Sequence, residues 1–182
     1  MTTLRADAQR NLGRILEAAG QAYTELGPDV TIDEIARRAG VGHGTVFRRF
    51  PTKDALRAAV LRLRLEELLA QAEHQLENPD AGEAFVDFIW AVAGSCRRDR
   101  ALFEGIEQCV DSFPAVADVN EELHDIADRL IRRAQRAGAI RRGIDAQDVG
   151  ALVAAAIKAS MHSERDDAWR RYVGVVLDGL RR

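Results

Sequence analysis

Little in this sequence favours β-structure, disorder or a disulfide scaffold. Proline is rare, with four residues in 182, and the aromatics amount to six Phe, two Tyr and two Trp. With so few turn-forming and β-branched segments an all-β sandwich is excluded, and with 47% apolar residues a disordered chain is excluded too. Cysteine is nearly absent: Cys96 and Cys109 cannot build a disulfide framework. Long hydrophobic runs are missing as well. The longest, Val149 to Ile157, stops at Lys158, far short of the ~20 residues of a membrane span. Residues 1–14 are polar and charged, without the apolar core of a signal peptide. The expectation is a cytoplasmic protein with no membrane partner.

A bulk positive charge is also lacking, since the net charge is −3. That average hides an asymmetry. Residues 1–65 carry 11 Lys+Arg against 7 Asp+Glu, whereas residues 66–182 carry 15 against 22. A basic N-terminal third on an acidic body makes the N-terminus the place to look for function.

What is present is helical periodicity, and it predicts an all-α fold of about nine helices. Leu12, Ile15, Leu16, Ala19, Tyr23 and Leu26 form one stripe, closed by Gly27-Pro28. Thr31 and Glu34 have capping-box spacing and open a helix that ends at Ala39-Gly40. A short helix follows over 42–49, and Thr52 caps a long one reaching about Glu77. Asp80 and Glu83 open the next, which runs through Cys96 to a break near 97–100. A short helix over 101–110, one from Pro114 to Ala137 closed by Gly138, and two last helices over 146–162 and 166–180 complete the chain. The expected division is 1–55 for an N-terminal module and 56–182 for a helical body.

The informative segment is TIDEIARRAGVGHGTVFRRFPTKDAL, residues 31–56. Two short helices joined at Ala39-Gly40-Val41 have helix-turn-helix spacing. Ala36 is small where the helices cross, Gly40 can take positive φ in the turn, and Ile35, Val41 and Val46 fill the wedge. His43, Gly44, Thr45, Arg48 and Arg49 are left on or near the exposed face, placed to enter a major groove.

With capping Thr31, Ile35-Ala36, Ala39-Gly40-Val41, Gly44-Thr45-Val46-Phe47, Phe50, Lys53 and Leu56, the segment resembles the TetR family of bacterial transcriptional regulators. The C-terminal Asp167-Ala-Trp-Arg-Arg-Tyr and Leu177-Asp-Gly-Leu180 further resemble SbtR-like members. Two departures stand out. Gly42 replaces a frequent capping serine or threonine, so phosphate contact there falls to backbone N–H groups, and Phe47 replaces the commoner tyrosine. The resemblance implies Thr31, Arg38, Phe47 and Lys53 at the DNA backbone and His43, Thr45 and Arg48 near base edges, with Gly42 and Gly44 in the same interface. It implies a regulator, a repressor more than an activator, that binds a palindromic operator in double-stranded DNA.

One such module reads few base pairs, so a homodimer is expected, with the last two helices as its interface: Leu152, Ala156, Ala159, Trp169, Tyr172, Val173, Val176, Leu177 and Leu180. The resemblance implies a four-helix bundle there. It also implies a small-molecule effector, partly apolar, in a pocket drawn from Phe85, Phe88, Ile89, Trp90, Phe103, Gln108, Phe113, His124 and Met161, although core packing is the better reading for any one of these. Rival chemistries have less to stand on. Glu121 to His124 supplies one Glu-x-x-His where a di-iron bundle needs two. A redox role for Cys96 or Cys109 needs exposure and a lowered pKa. No catalytic array, phosphate-cradling loop or zinc spacing occurs, so the expectation is a non-enzyme with no cofactor and no metal.

Overall fold

The computed structural model describes residues 2–99, 103 and 106–181, with side chains from residue 9 onward except those of 107 and 108. Among these residues there are nine helices and no strand: α1 (Thr2–Leu26), α2 (Ile32–Ala39), α3 (His43–Arg49), α4 (Lys53–Gln75), α5 (Ala81–Arg98), α6 (Ile106–Ser112), α7 (Pro114–Arg136), α8 (Ala146–Ser160) and α9 (Ala168–Leu180). The expected short helix over 101–110 is seen as α6; residues 100–102, 104 and 105 lie outside the described residues. The all-α fold and the helix order match the sequence reading. No described helix is long and apolar enough to cross a membrane.

The chain divides into two compact units, Met1–Arg64 with Asp99–Ala117 and Leu65–Arg98 with Asp118–Arg182. In the first, α1 buries Ile15, Ala19, Ala22 and Tyr23, α2 buries Ile35, Ala36 and Ala39, and α4 contributes Leu56, Val60 and Leu61. Val46 is the only buried residue of α3 and is 0% exposed. Burying such a side chain is worth roughly 1.5–3 kcal/mol, which makes it the anchor of a seven-residue helix that could not persist alone. Of the expected wedge, Ile35 and Val46 are fully buried, while Val41 is half-buried at the turn itself.

The break after α5 places a charge in this unit. Asp99 is 1% exposed; Arg64 Nε lies 3.4 Å from it and Thr24 Oγ1 3.3 Å. A buried carboxylate demands such partners. Gly20 makes room for them, because a Cβ there would come within 2.9 Å of the Arg64 guanidinium.

In the second unit Phe85, Phe88 and Ile89 of α5 share a core with Leu130 and Ile131 of α7, Val149, Val153 and Ile157 of α8, and Val173, Leu177 and Leu180 of α9. Helix ends are closed locally. Asp145 and Asp148 form a reciprocal capping box at α8, and Arg133 donates to the carbonyls of Gln75, Leu76 and Asn78 past the end of α4.

Two glycines of the N-terminal unit test this description in opposite directions. Gly40 has φ 63° and ψ 38°, the left-handed region. Gly40→Ala should lower the unfolding free energy by about 1–2 kcal/mol, the cost of a Cβ in that conformation. Gly44 is helical with nothing within 4 Å of a built Cβ. Gly44→Ala should raise stability by up to about 1 kcal/mol. Denaturant unfolding of the two variants reads both signs; equal effects would contradict the assigned backbone.

Candidate nucleic-acid interface

The interface is built outward from the Gly40 turn. Its N–H closes on the Arg37 carbonyl at 3.2 Å, and that of Val41 on the Ala36 carbonyl at 3.0 Å. α2 therefore stops sharply and α3 starts three residues later, from an N-cap Gly42 that supplies no side-chain bond. With Val46 turned into the core, His43, Gly44, Phe47, Arg48 and Arg49 are exposed and Thr45 is half-exposed. Phe47 keeps 51% of its surface accessible, an unusual exposure for so apolar a ring. Thr45, Arg48 and Arg49 border a cleft of about 600 Å³ whose far wall is Gln9, Asn11 and Leu12 of α1.

His43 is held from two sides. Its Nδ1 lies 2.6 Å from Asp33 Oδ1, and its ring stacks on Phe47 at 6.1 Å between centroids and 14° between planes. A carboxylate only accepts, so Nδ1 carries the hydrogen and Nε2 is the nitrogen left for another partner. Asp33 was invisible as a functional residue in the sequence: it is ten positions from His43, and only the α2–α3 turn brings them together.

The other expected charges divide into two groups. The capping box at Thr31 is only half formed, with no bond from the Thr31 N–H to the Glu34 carboxylate. Thr31 Oγ1 accepts from the Glu34 N–H at 3.2 Å, but the Glu34 carboxylate is drawn to Arg37 at 2.6 Å and Arg38 at 2.8 Å. Two guanidiniums outcompete one backbone N–H for a carboxylate. Those hydrogen bonds, from Arg37 first and Arg38 second, hold the Glu34 carboxyl down at about 2. Arg38 also pairs with Glu25 at 2.6 Å, so it is engaged on two sides. Arg48, Arg49 and Lys53 have no carboxylate partner among the described residues. Lys53 is the first residue of α4, where exposed N–H groups and the helix dipole also favour an anion. Thr52 Oγ1 caps that helix through the Ala55 N–H at 3.0 Å.

The residues expected to line an effector pocket are dispersed. Phe88, Ile89 and His124 border one small apolar cavity of about 90 Å³. Phe85 is fully buried, Trp90 lines a different cleft beside Trp169, and Met161 is 39% exposed at the end of α8. Phe103 and Phe113 belong to the other compact unit, and the Gln108 side chain lies outside the described residues. His124 Nδ1 sits 2.8 Å from the Asn120 carbonyl. Among the described residues no group of three or more His, Cys, Asp or Glu is arranged to hold a metal. Cys109 is buried, and burial pushes its thiol up, away from the thiolate a redox sensor needs.

Of the expected dimer residues, Ala156, Val173, Leu177 and Leu180 are buried in the chain's own core. Trp169, Tyr172 and Val176 are half-buried, while Leu152 (44% exposed) and Ala159 face outward. Val175, not singled out by the sequence pattern, is 71% exposed on α9.

Comparison with known proteins agrees with this geometry. The family described as "Bacterial regulatory proteins, tetR family" matches residues 15–60, and "Transcriptional regulator SbtR-like, C-terminal domain" matches residues 80–182. A TetR transcription regulatory protein from Mycobacterium vanbaalenii superposes with a TM-score of 0.70 at 35% identity, over 98% of this chain and 99% of that one. The HTH-type transcriptional repressor Rv3405c of Mycobacterium tuberculosis is 38% identical over 130 residues, covering 65% of this chain and 66% of its own length. FadR from Bacillus subtilis, solved in complex with stearoyl-CoA, shares the fold with a TM-score of 0.70 at 17% identity over 92% of this chain and 96% of that one.

The Glu34 network makes a prediction about acid. Its carboxyl titrates lower in the folded chain than the ordinary 4.5, so its contribution to stability is complete above that pH and is lost as the pH falls towards 2. Carboxyl-carbon NMR should find the midpoint near 2, and Arg37→Ala or Arg38→Ala should each move it upward. A midpoint unmoved by both would contradict the pairing.

Proposed function

This chain belongs to the TetR family of bacterial transcriptional regulators, and from that premise we propose that it is a repressor that binds a palindromic operator as a homodimer. The observation that carries the reading is the exposed α3 face, His43, Thr45 and Arg48, anchored from behind by Val46 and flanked by an unpaired Lys53. In this reading residues 1–55 bind DNA and residues 56–182 bind effector and the second copy. Thr31, Gly42, Gly44, Phe47 and Lys53 meet the sugar–phosphate backbone, which fixes register; His43, Thr45 and Arg48 meet base edges, which specify sequence. Arg38 joins the phosphate contacts only by releasing Glu25 or Glu34.

The base chemistry follows from the side chains. Arg48 can donate two N–H bonds to guanine O6 and N7. With Nδ1–H committed to Asp33, a neutral His43 offers Nε2 as an acceptor, matching the exocyclic amine of adenine or cytosine. Dimerisation uses the outward faces of α8 and α9, with Leu152, Ala159 and Val175 at the surface and Trp169, Tyr172 and Val176 at its margin. Small residues along α8 allow close approach of a partner helix. A repressor role is supported by the name of the Mycobacterium tuberculosis relative, and an effector by the stearoyl-CoA complex of the FadR neighbour. An effector would favour a separation of the two α3 helices that misfits successive major grooves. Linkage then requires DNA to weaken effector binding by the same factor.

Lys53→Ala should weaken binding to every DNA sequence and reduce the slope of log K against log salt by about one unit. An unchanged slope would remove Lys53 from the phosphate contacts. His43→Ala and Asp33→Asn should relax preference at the same operator position, because both disturb one ring. If Asp33→Asn leaves base preference intact while His43→Ala changes it, Asp33 does not orient the imidazole.

A further inference from the structure

Both tryptophans of the chain line one cleft, and the surrounding side chains describe a ligand. The cleft encloses about 420 Å³ between α4, α5 and α9 and lies wholly within the second compact unit. That volume is in the range of small-molecule sites. Trp90 and Trp169 meet edge to face, 6.1 Å between centroids and 74° between planes. They form an apolar corner that suits one flat ring. Arg170 lies over the Trp169 ring with its guanidinium carbon 4.3 Å from the centroid. Stacking occupies the face of a guanidinium and leaves its in-plane N–H groups available, the edge that binds a carboxylate bidentately. No described carboxylate takes that edge.

Two further features have the same bearing. Ser95 is 3% exposed yet lines the cleft, where its hydroxyl is a small group able to donate or accept a hydrogen bond. The charged side chains of the wall are Arg98, Arg170 and Glu67, two cations against one anion. We propose that this cleft binds an aromatic carboxylate, with the ring in the indole corner, the carboxylate on Arg170 and a hydrogen bond from Ser95. The site shares only Trp90 with the effector pocket expected from the sequence. It gives the effector of the proposed function a chemical class, and its link to DNA release rests on that reading.

Both tryptophans of the chain line this cleft, so tryptophan emission reports on it, and a fixed chain concentration keeps any contribution from the proposed dimer margin beside Trp169 constant. The full chain, free of DNA, is titrated with benzoate and separately with benzylamine, which has the same ring and the opposite charge. Benzoate should shift the emission saturably, and benzylamine should bind about tenfold more weakly or not at all. Arg170→Ala, at an exposed position, should weaken benzoate about tenfold, and Ser95→Ala by a smaller factor. No saturable shift with benzoate, equal binding of benzylamine, or an affinity unmoved by Arg170→Ala would each overturn the proposal. Operator affinity is then measured with and without benzoate. Emission that saturates while operator affinity stays constant would uphold the site and count against effector release through it, so the two readings fail separately.

Discussion

At Gly40 the chain turns through φ 63° and ψ 38°, and two N–H groups close onto the last carbonyls of α2. Everything on the α3 face depends on that turn. It lets a helix of seven residues begin three residues later and pack on α2, so that one side chain, Val46, reaches the shared core. Because only Val46 is needed inside, the rest of α3 is free to face outward. The turn also carries His43 to within 2.6 Å of Asp33. A Cβ at position 40 would strain the backbone and press on the Arg14 guanidinium, 2.5 Å away.

Charge is distributed on this scaffold more selectively than its sum suggests. Arg37 and Arg38 are tied to Glu34, and Arg38 also to Glu25, which makes them part of the stiffness of α2. Exposed pairs of this kind contribute little to stability one by one. Their effect is to withdraw two cations of α2 from a polyanion, whereas Arg48, Arg49 and Lys53, at the end of α3 and the start of α4, carry no carboxylate partner among the described residues. The acidic groups thus sharpen the basic N-terminal third into a small patch beside the exposed helix, and Asp33 fixes the one imidazole within it.

The sequence made local structure legible because its signals are local. Thr31, Gly40, Thr52, Asp80 and Asp145 mark helix boundaries through bonds to residues two to four positions away, and the observed helices begin and end within a few residues of those marks. Contacts between distant residues left no such trace. Asp33 and His43 meet only through a turn, and Trp90 and Trp169 only through the packing of α5 and α9. Hydrophobic periodicity also cannot tell a protomer's own core from a surface kept for a second copy. Val173, Leu177 and Leu180 therefore read as interface and are found inside, whereas Val175, off that stripe, is exposed. The aromatic residues of the body share only their residue type, and the fold separates them into different cavities and different units.

In the proposed dimer, two copies of α3 read a two-fold symmetric DNA sequence. The most direct test of that reading is selection of genomic DNA fragments by the purified chain, stripped of bound small molecules, at a stated near-physiological salt concentration, followed by sequencing. The expected result is enrichment of a palindrome whose half-sites lie about one helical turn, or a multiple of it, apart. Enrichment of a single asymmetric half-site, or none from protein shown to be folded and dimeric, would contradict it.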